Sequence, residues 1–309
     1  MISVTRIGRY VQRFRSLPVV FALLASSTTV LSWGNSQARA GFVVSGQSDG
    51  VAISSNLTIA SLASANISLN PLQGSAPAPY NLNLTNSLGG NFSAGTYNLP
   101  VLGTQEVLLS GSTGLLTTTA NSNIDGVSNS GMVSGSTAIN NLNLKVLSTL
   151  LVPVLTINAT TLTTASSASG TYGSLTASGT PTITGLAISV LGINVTALVE
   201  ASAGALVDVS ALTGLTGLKI GIDLTTIAGD GIAAKSITTD NIVVQFTNVS
   251  TLGGGSINGS LTIGESQALI TASPVPEPAS VAMMGVGLVL AGIARARRSR
   301  RSEGRLATS

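Results

Sequence analysis

Val51-Ala52-Ile53-Ser54-Ser55-Asn56-Leu57-Thr58-Ile59 decides the fold. Large apolar residues fall mostly on odd positions and small or polar ones on even positions, the period of a half-buried strand. The same alternation runs through Asn81-Leu82-Asn83-Leu84-Thr85, Asn141 to Val146, Leu218 to Leu224, Asn241 to Thr247 and Ile257 to Ile263. Between Ile183 and Val199 the apolar phase changes from even to odd near Leu191-Gly192, which predicts two strands separated by a turn or bulge. No helical period stands out between Gly41 and Ser273.

Turn chemistry punctuates these runs at Ser48-Asp49-Gly50, Pro71 to Pro79, Gly89-Gly90-Asn91, Asp125-Gly126, Ser169-Gly170, Asp230-Gly231 and Gly253-Gly254-Gly255. The spacing predicts an all-β chain of roughly ten to fourteen strands, a β-sandwich-like two-sheet body, with an irregular β-solenoid as the alternative. The absence of a fixed repeat favours the sandwich. Ala76 to Asn81 reads as a proline-rich loop inside one domain.

Both ends differ from this body. Arg6, Arg9, Arg13 and Arg15 precede an apolar run from Leu17 to Leu31 and an A-x-A site at Ala38-Arg39-Ala40. That is the pattern of a secretory signal peptide over 1–40, predicted to be helical and cleaved before Gly41, on the general secretion route with signal peptidase as the processing partner. The second special segment covers 274–301. Pro276 and Pro278 hold Glu277 on extended, non-helical backbone. Ala279 to Ala294 then gives sixteen uncharged residues, about 24 Å of helix against a ~30 Å hydrocarbon core. This predicts a C-terminal transmembrane helix. Arg295, Arg297, Arg298, Arg300 and Arg301 follow and hold the C-terminus, with a tail over 302–309, on the cytoplasmic side.

Setting the two ends aside reverses the charge. The whole chain carries 14 basic and 11 acidic residues. The body, 41–273, has only Lys145, Lys219 and Lys235 against Asp49, Glu106, Asp125, Glu200, Asp208, Asp223, Asp230, Asp240 and Glu265, a net charge of −6. A body without a cationic face does not neutralise phosphates, which excludes nucleic acid as a partner. The chain has no cysteine and no histidine. Disulfides and the usual zinc, copper, haem and iron–sulfur sites therefore lose their ligands, and no cofactor is expected.

Candidate chemistry is sparse. Gly46-Gln47-Ser48-Asp49-Gly50 fits the G-x-S-x-G nucleophile elbow, but that device needs a strand-to-helix turn and a histidine, and this chain has no histidine. Asp208 and Asp223 lie on strand-like runs that could be neighbours, the one pair considered for a carboxylate-dependent glycosidase. Asn121, Asn123 and Asp125, and Asp230 with Asp240 and Asn241, place oxygen ligands in turns. The first group lacks the closing glutamate of a calcium loop, because position 132 is Met132. Turn formation accounts for these residues, so no metal site is assigned. The N-x-S/T triplets at Asn56, Asn158 and Asn194 are expected by chance in a chain this rich in Asn, Ser and Thr.

The order Pro276-Glu277-Pro278, apolar segment, arginine cluster resembles the PEP-CTERM tail of bacterial envelope proteins. The resemblance implies passage across the inner membrane, anchoring by the tail and recognition around Pro276-Glu277-Pro278 by an exosortase-like transpeptidase. It further implies residence at the cell surface or in an exopolysaccharide-rich matrix. The body is also vaguely similar to the choice-of-anchor surface proteins. Together these readings lead to an exported, non-catalytic structural or adhesive protein whose partners are exopolysaccharide or copies of itself. A secreted hydrolase such as a glycosidase is the alternative.

Overall fold

The computed structural model describes residues 41–59, 62–87, 91–99, 104–148, 153–250, 255–274, 283–293 and 295. The expected signal-peptide helix, Ala38 and Ala40, Pro276, Glu277, Pro278, Arg297, Arg298, Arg300, Arg301 and the tail 302–309 lie outside the described residues.

Gly41–Ser273 forms one compact unit. Its strands are β1 (Gly41–Ile59), β2 (Ala63–Leu69), β3 (Leu72–Ser75), β4 (Tyr80–Ser87), β5 (Asn91–Leu99), β6 (Thr104–Ser112), β7 (Leu115–Ser122) and β8 (Ser130–Ser148). These are followed by β9 (Leu155–Thr171), β10 (Ser174–Thr184), β11 (Ala187–Val190), β12 (Ile193–Asn194), β13 (Leu206–Asp208), β14 (Leu218–Ala228), β15 (Ala234–Ser250) and β16 (Ser256–Pro274). Two short helices interrupt them, α1 (Thr196–Glu200) and α2 (Ser210–Thr213). Sheet A has seven strands in the order β13-β14-β15-β16-β1-β2, with β3 on β1. Sheet B has nine, in the order β12-β11-β9-β8-β6-β5, with β10 on β9 and with β7 joining β8 to β4. Two antiparallel sheets make this a sandwich-like body rather than the alternative solenoid.

Ser169-Gly170 lies within β9 and the turn falls just after it, at Tyr172-Gly173. Two further sequence expectations fail within the body, each for a physical reason. Ser48-Asp49-Gly50 is not a turn: β1 runs straight through it. Gly50 is there because the opposite sheet comes close, and a Cβ would lie 2.4 Å from Thr118 Cγ2. The second concerns Val195 to Val199. Leu191 and Gly192 do make the expected turn, both with positive φ, between two strands, β11 and β12, but β12 ends at Asn194 and Thr196–Glu200 then forms α1, which buries Val199.

The core is split in two. The larger apolar cluster gathers Ile53, Leu57, Leu109, Ile139, Leu144, Ile157, Leu162, Ile242, Val244, Leu261 and Ile263. The smaller holds Val43, Ile124, Val133, Ala168, Ile237, Ala268 and Ile270. The long strands cross from one to the other through buried polar residues: Ser48 on β1, Thr137 on β8, Thr164 and Ser166 on β9, Thr239 and Asn241 on β15, Ser266 on β16. Small side chains let the sheets approach closely. A Cβ on Gly135 would sit 2.5 Å from the Asp49 carbonyl oxygen and 2.7 Å from that of Gln267.

Hydrogen bonds satisfy most of this belt, as burial requires. Ser166 Oγ donates across the interface and lies 2.8 Å from Thr239 Oγ1, 2.9 Å from the Ser266 carbonyl and 3.0 Å from Ser266 Oγ. Thr137 Oγ1 donates to the Glu265 carbonyl at 2.8 Å. Asn241 Nδ2 donates to the carbonyls of Thr163 and Thr182, at 3.0 and 3.1 Å.

Beside the belt the inward-facing phase slips by one residue on several strands. On β8 the buried positions pass from Ile139 to Leu142, with Asn141 at φ +50° between them. On β15 Asn241 and Ile242 are buried in succession. Asp223 on β14 (φ +53°) and Gly264 on β16 (φ +67°) stand at equivalent places. Register survives because neighbours slip together: Ile222↔Ile242 and Leu224↔Asp240 share one alignment, as do Ile242↔Ile263 and Asp240↔Glu265.

The expected transmembrane helix is not shown: residues 283–293 and 295 are helical, and among the described residues no helix is long and apolar enough to cross a membrane. Glycines at 285, 287 and 292 lower helix propensity. Arg295 is helical and exposed.

Candidate functional site

The outward face of sheet B, over β4, β7, β8, β9 and β10, is built from short polar side chains in register. One row across the strands reads Asn83, Thr119, Ser136, Ala165, Thr180, and the next reads Thr85, Thr117, Ala138, Thr163, Thr182. A third reads Asn81, Asn121, Ser134, Ser167, Ser178. All are exposed or half-buried, while their chain neighbours Thr118, Thr137, Thr164 and Ser166 point inward and are buried. Alternation along each strand and pairing between strands therefore place hydroxyls and amides on a grid of about 4.8 Å between strands and ~6.7 Å along them. Neighbours support one another: Thr119 Oγ1 and Ser136 Oγ are 2.7 Å apart, Ser167 Oγ and Ser178 Oγ 3.0 Å.

No member of these rows is ionisable or aromatic. Seven of the body's charged residues, Asp49, Asp208, Asp223, Asp240, Glu265, Lys219 and Lys235, sit instead on sheet A strands. Each Ser and Thr hydroxyl donates one hydrogen bond and accepts others, so the face matches a partner that is itself neutral and hydroxylated.

The other candidates have local roles. Gly46, Ser48 and Gly50 all lie within β1, and buried Ser48 Oγ is 3.0 Å from the Tyr80 hydroxyl, with no helix following as a nucleophile elbow demands. Asp125 accepts from the backbone N–H of Val127 and Ser128 and from Ser128 Oγ. Asp230 accepts from Ile232, Ala233 and Ala234. These bonds hold both carboxyls below the usual carboxylate value, and both residues are turn acceptors. Among the described residues no group of three or more His, Cys, Asp or Glu is placed to hold a metal ion.

Asp208 and Asp223 do fall on adjacent strands, but Asp208 is opposite Lys219, four positions from Asp223, or roughly 13 Å along the strand. Hydrogen bonds from the Ser210 side chain and from the Ser210 N–H, the latter at 2.8 Å, lower the pKa of Asp208, whereas burial raises that of Asp223. The closer acidic pair is one that sequence reasoning did not join: Asp240 and Glu265 are direct cross-strand partners on β15 and β16. Burial, with the Glu265 charge adding to it, pushes Asp240 up to about 7. Beside them on the same sheet a shallow hollow of about 250 Å³ is lined by Gln47, Asp49, Ser236, Thr238 and Gln267 among others. Only the register between the consecutive strands β15 and β16 reveals the pair.

Residues 274–301, outside the all-β body, match the PEP-CTERM protein-sorting motif. The motif implies an exported protein of the cell envelope that is processed by exosortase-like machinery. No curated protein matches the chain.

Proposed function

We propose that the body is a non-catalytic adhesive module of the cell surface and extracellular matrix, and that the Ser/Thr/Asn face of sheet B binds neutral exopolysaccharide. The observation carrying this reading is the uncharged, five-strand-wide hydroxyl grid on a body of net charge −6. Anionic polymers are repelled by such a body, while a neutral glycan exchanges its hydrogen bonds with water for those of the grid. Each contact is weak, and attachment comes from many of them along one polymer. The test is co-sedimentation of the exported protein with neutral and anionic extracellular polysaccharides from 50 to 500 mM salt. Retention on the neutral polymer, insensitive to salt, is expected; salt-sensitive retention on the anionic polymer alone, or retention on neither, overturns the reading.

Asp240 beside Glu265 favours a second reading, a carboxylate hydrolase, because a carboxyl with a raised pKa next to a second acid could serve as the proton donor of such a pair. It predicts new reducing ends released from the same polysaccharide and lost in Asp240→Asn.

A further inference from the structure

We infer that β4 is a docking edge for a second copy of this chain. Among the described residues β4 pairs only with β7, leaving its other side without a strand. Exposed strand edges are ordinarily blunted by brevity, lysine, proline, a bulge or a covering element. Most other outer strands of this body follow that rule, although β2, seven uncharged residues at the end of sheet A, does not. Strands β12 and β13 have two and three residues, and β5 is broken at Gly95 with φ +71°. β10 carries Pro181 and is fastened to sheet A by Asn241. From Asn81 to Asn86, β4 has no lysine, proline, bulge or charge and every side chain exposed. Among the described residues, the one β4 backbone group held by a side chain from outside the β4–β7 pair is the Leu84 carbonyl, which accepts from Asn70 Nδ2 at 2.9 Å.

Its sequence is self-complementary in one register. Antiparallel pairing of two copies about a two-fold axis at Asn83 sets Leu82 against Leu84 of the second copy, Leu84 against its Leu82, and Asn81 against its Thr85. Leu82 and Leu84 are 37% and 36% exposed and share the face opposite to the hydroxyl rows, so pairing covers all four leucines at once. A shift of one residue sets leucine against polar side chains, which is how a hydrophobic pattern selects register. The arrangement is isologous and closes on itself as a dimer. It also joins the two hydroxyl grids edge to edge, Thr119–Asn83 to Asn83–Thr119, doubling the neutral face. That last consequence rests on the adhesive reading; the pairing itself does not.

The test is sedimentation velocity on the exported protein and two single variants. Asn83→Lys and Asn83→Asp each put like charges directly across the axis, at an exposed position outside the core. A concentration-dependent dimer is expected for the unaltered protein, with dimerisation weakened at least about tenfold in either variant. An equimolar mixture of the two variants restores the dimer, which a merely misfolded edge would not do. Thr182→Lys, on the far side of the hydroxyl face, leaves the dimer intact whatever it does to polysaccharide binding. A monomer at all concentrations, a dimer unchanged by both Asn83 substitutions, or a mixture that stays monomeric overturns the inference.

Discussion

Asp240 on β15 stands directly across from Glu265 on β16, and its Oδ1 is buried without a hydrogen-bond partner. Burying an unpartnered carboxylate disfavours its charge, and a neighbouring carboxylate disfavours it further. Its pKa accordingly rises from 3.8 to about 7.

The sign of the linkage follows. Between pH ~4 and ~7 the folded state holds a proton on Asp240 that the unfolded chain has released, so stability falls as pH rises through that window and levels off above it. Asp240→Asn removes the slope. Chemical denaturation at pH 5 and pH 8 checks this: the variant is expected to be about 2 kcal/mol more stable than the parent at pH 8 and near equal at pH 5. The slope turns over at the acid end, where Asp125, Asp208 and Asp230 have lowered pKa values, so their stabilisation is lost below the usual carboxylate range.

Ser166 joins the sheets through the most highly connected hydroxyl of the belt. Replacing it with alanine leaves Thr239 and Ser266 without that partner, at an expected cost of about 1–3 kcal/mol. Thermal or urea unfolding measures it. A loss under 0.5 kcal/mol means the belt contributes no more than surface hydroxyls do.

Gly135→Ala tests the close approach of the sheets. The added Cβ meets two backbone carbonyls, which cannot rotate away as a side chain can. Destabilisation of about 2 kcal/mol or more is expected, against a loss nearer 1 kcal/mol or none if the sheets can part.

Much of the fold was legible in the sequence because period-two alternation reports a one-sided strand directly. Val51 to Ile59 and Asn241 to Thr247 are strands for the reason their patterns state. Polar belts and glycines were harder to read. Ser48-Asp49-Gly50 has turn chemistry, yet it is the inside of a strand whose partner sheet lies too near for side chains. Nor does alternation in one strand say which strand lies opposite. The grid from Asn83 to Thr180 and the pairing of Asp240 with Glu265 depend on the exact register between strands, and in the case of β4 on pairing with β7 past two intervening strands, so the rows of Ser, Thr and Asn were foreseeable as chemistry but not as one face.

The tail carries a prediction of its own. Intact-mass measurement on protein from its native host is expected to show loss of the arginine cluster by cleavage next to Pro276-Glu277-Pro278, and Glu277→Ala is expected to leave the tail attached. Retention of Arg295 in the mature wild-type protein contradicts processing at that motif.

Lysine substitutions on the two sheet faces test the central claim most directly. Thr119→Lys and Thr182→Lys alter the hydroxyl face of sheet B, whereas Thr226→Lys places the same exposed charge on sheet A. Co-sedimentation with neutral exopolysaccharide is predicted to fall at least about tenfold, or 1.4 kcal/mol, for each sheet B variant and to stay unchanged for Thr226→Lys. Equal binding by all three, or a loss confined to Thr226→Lys, contradicts the account.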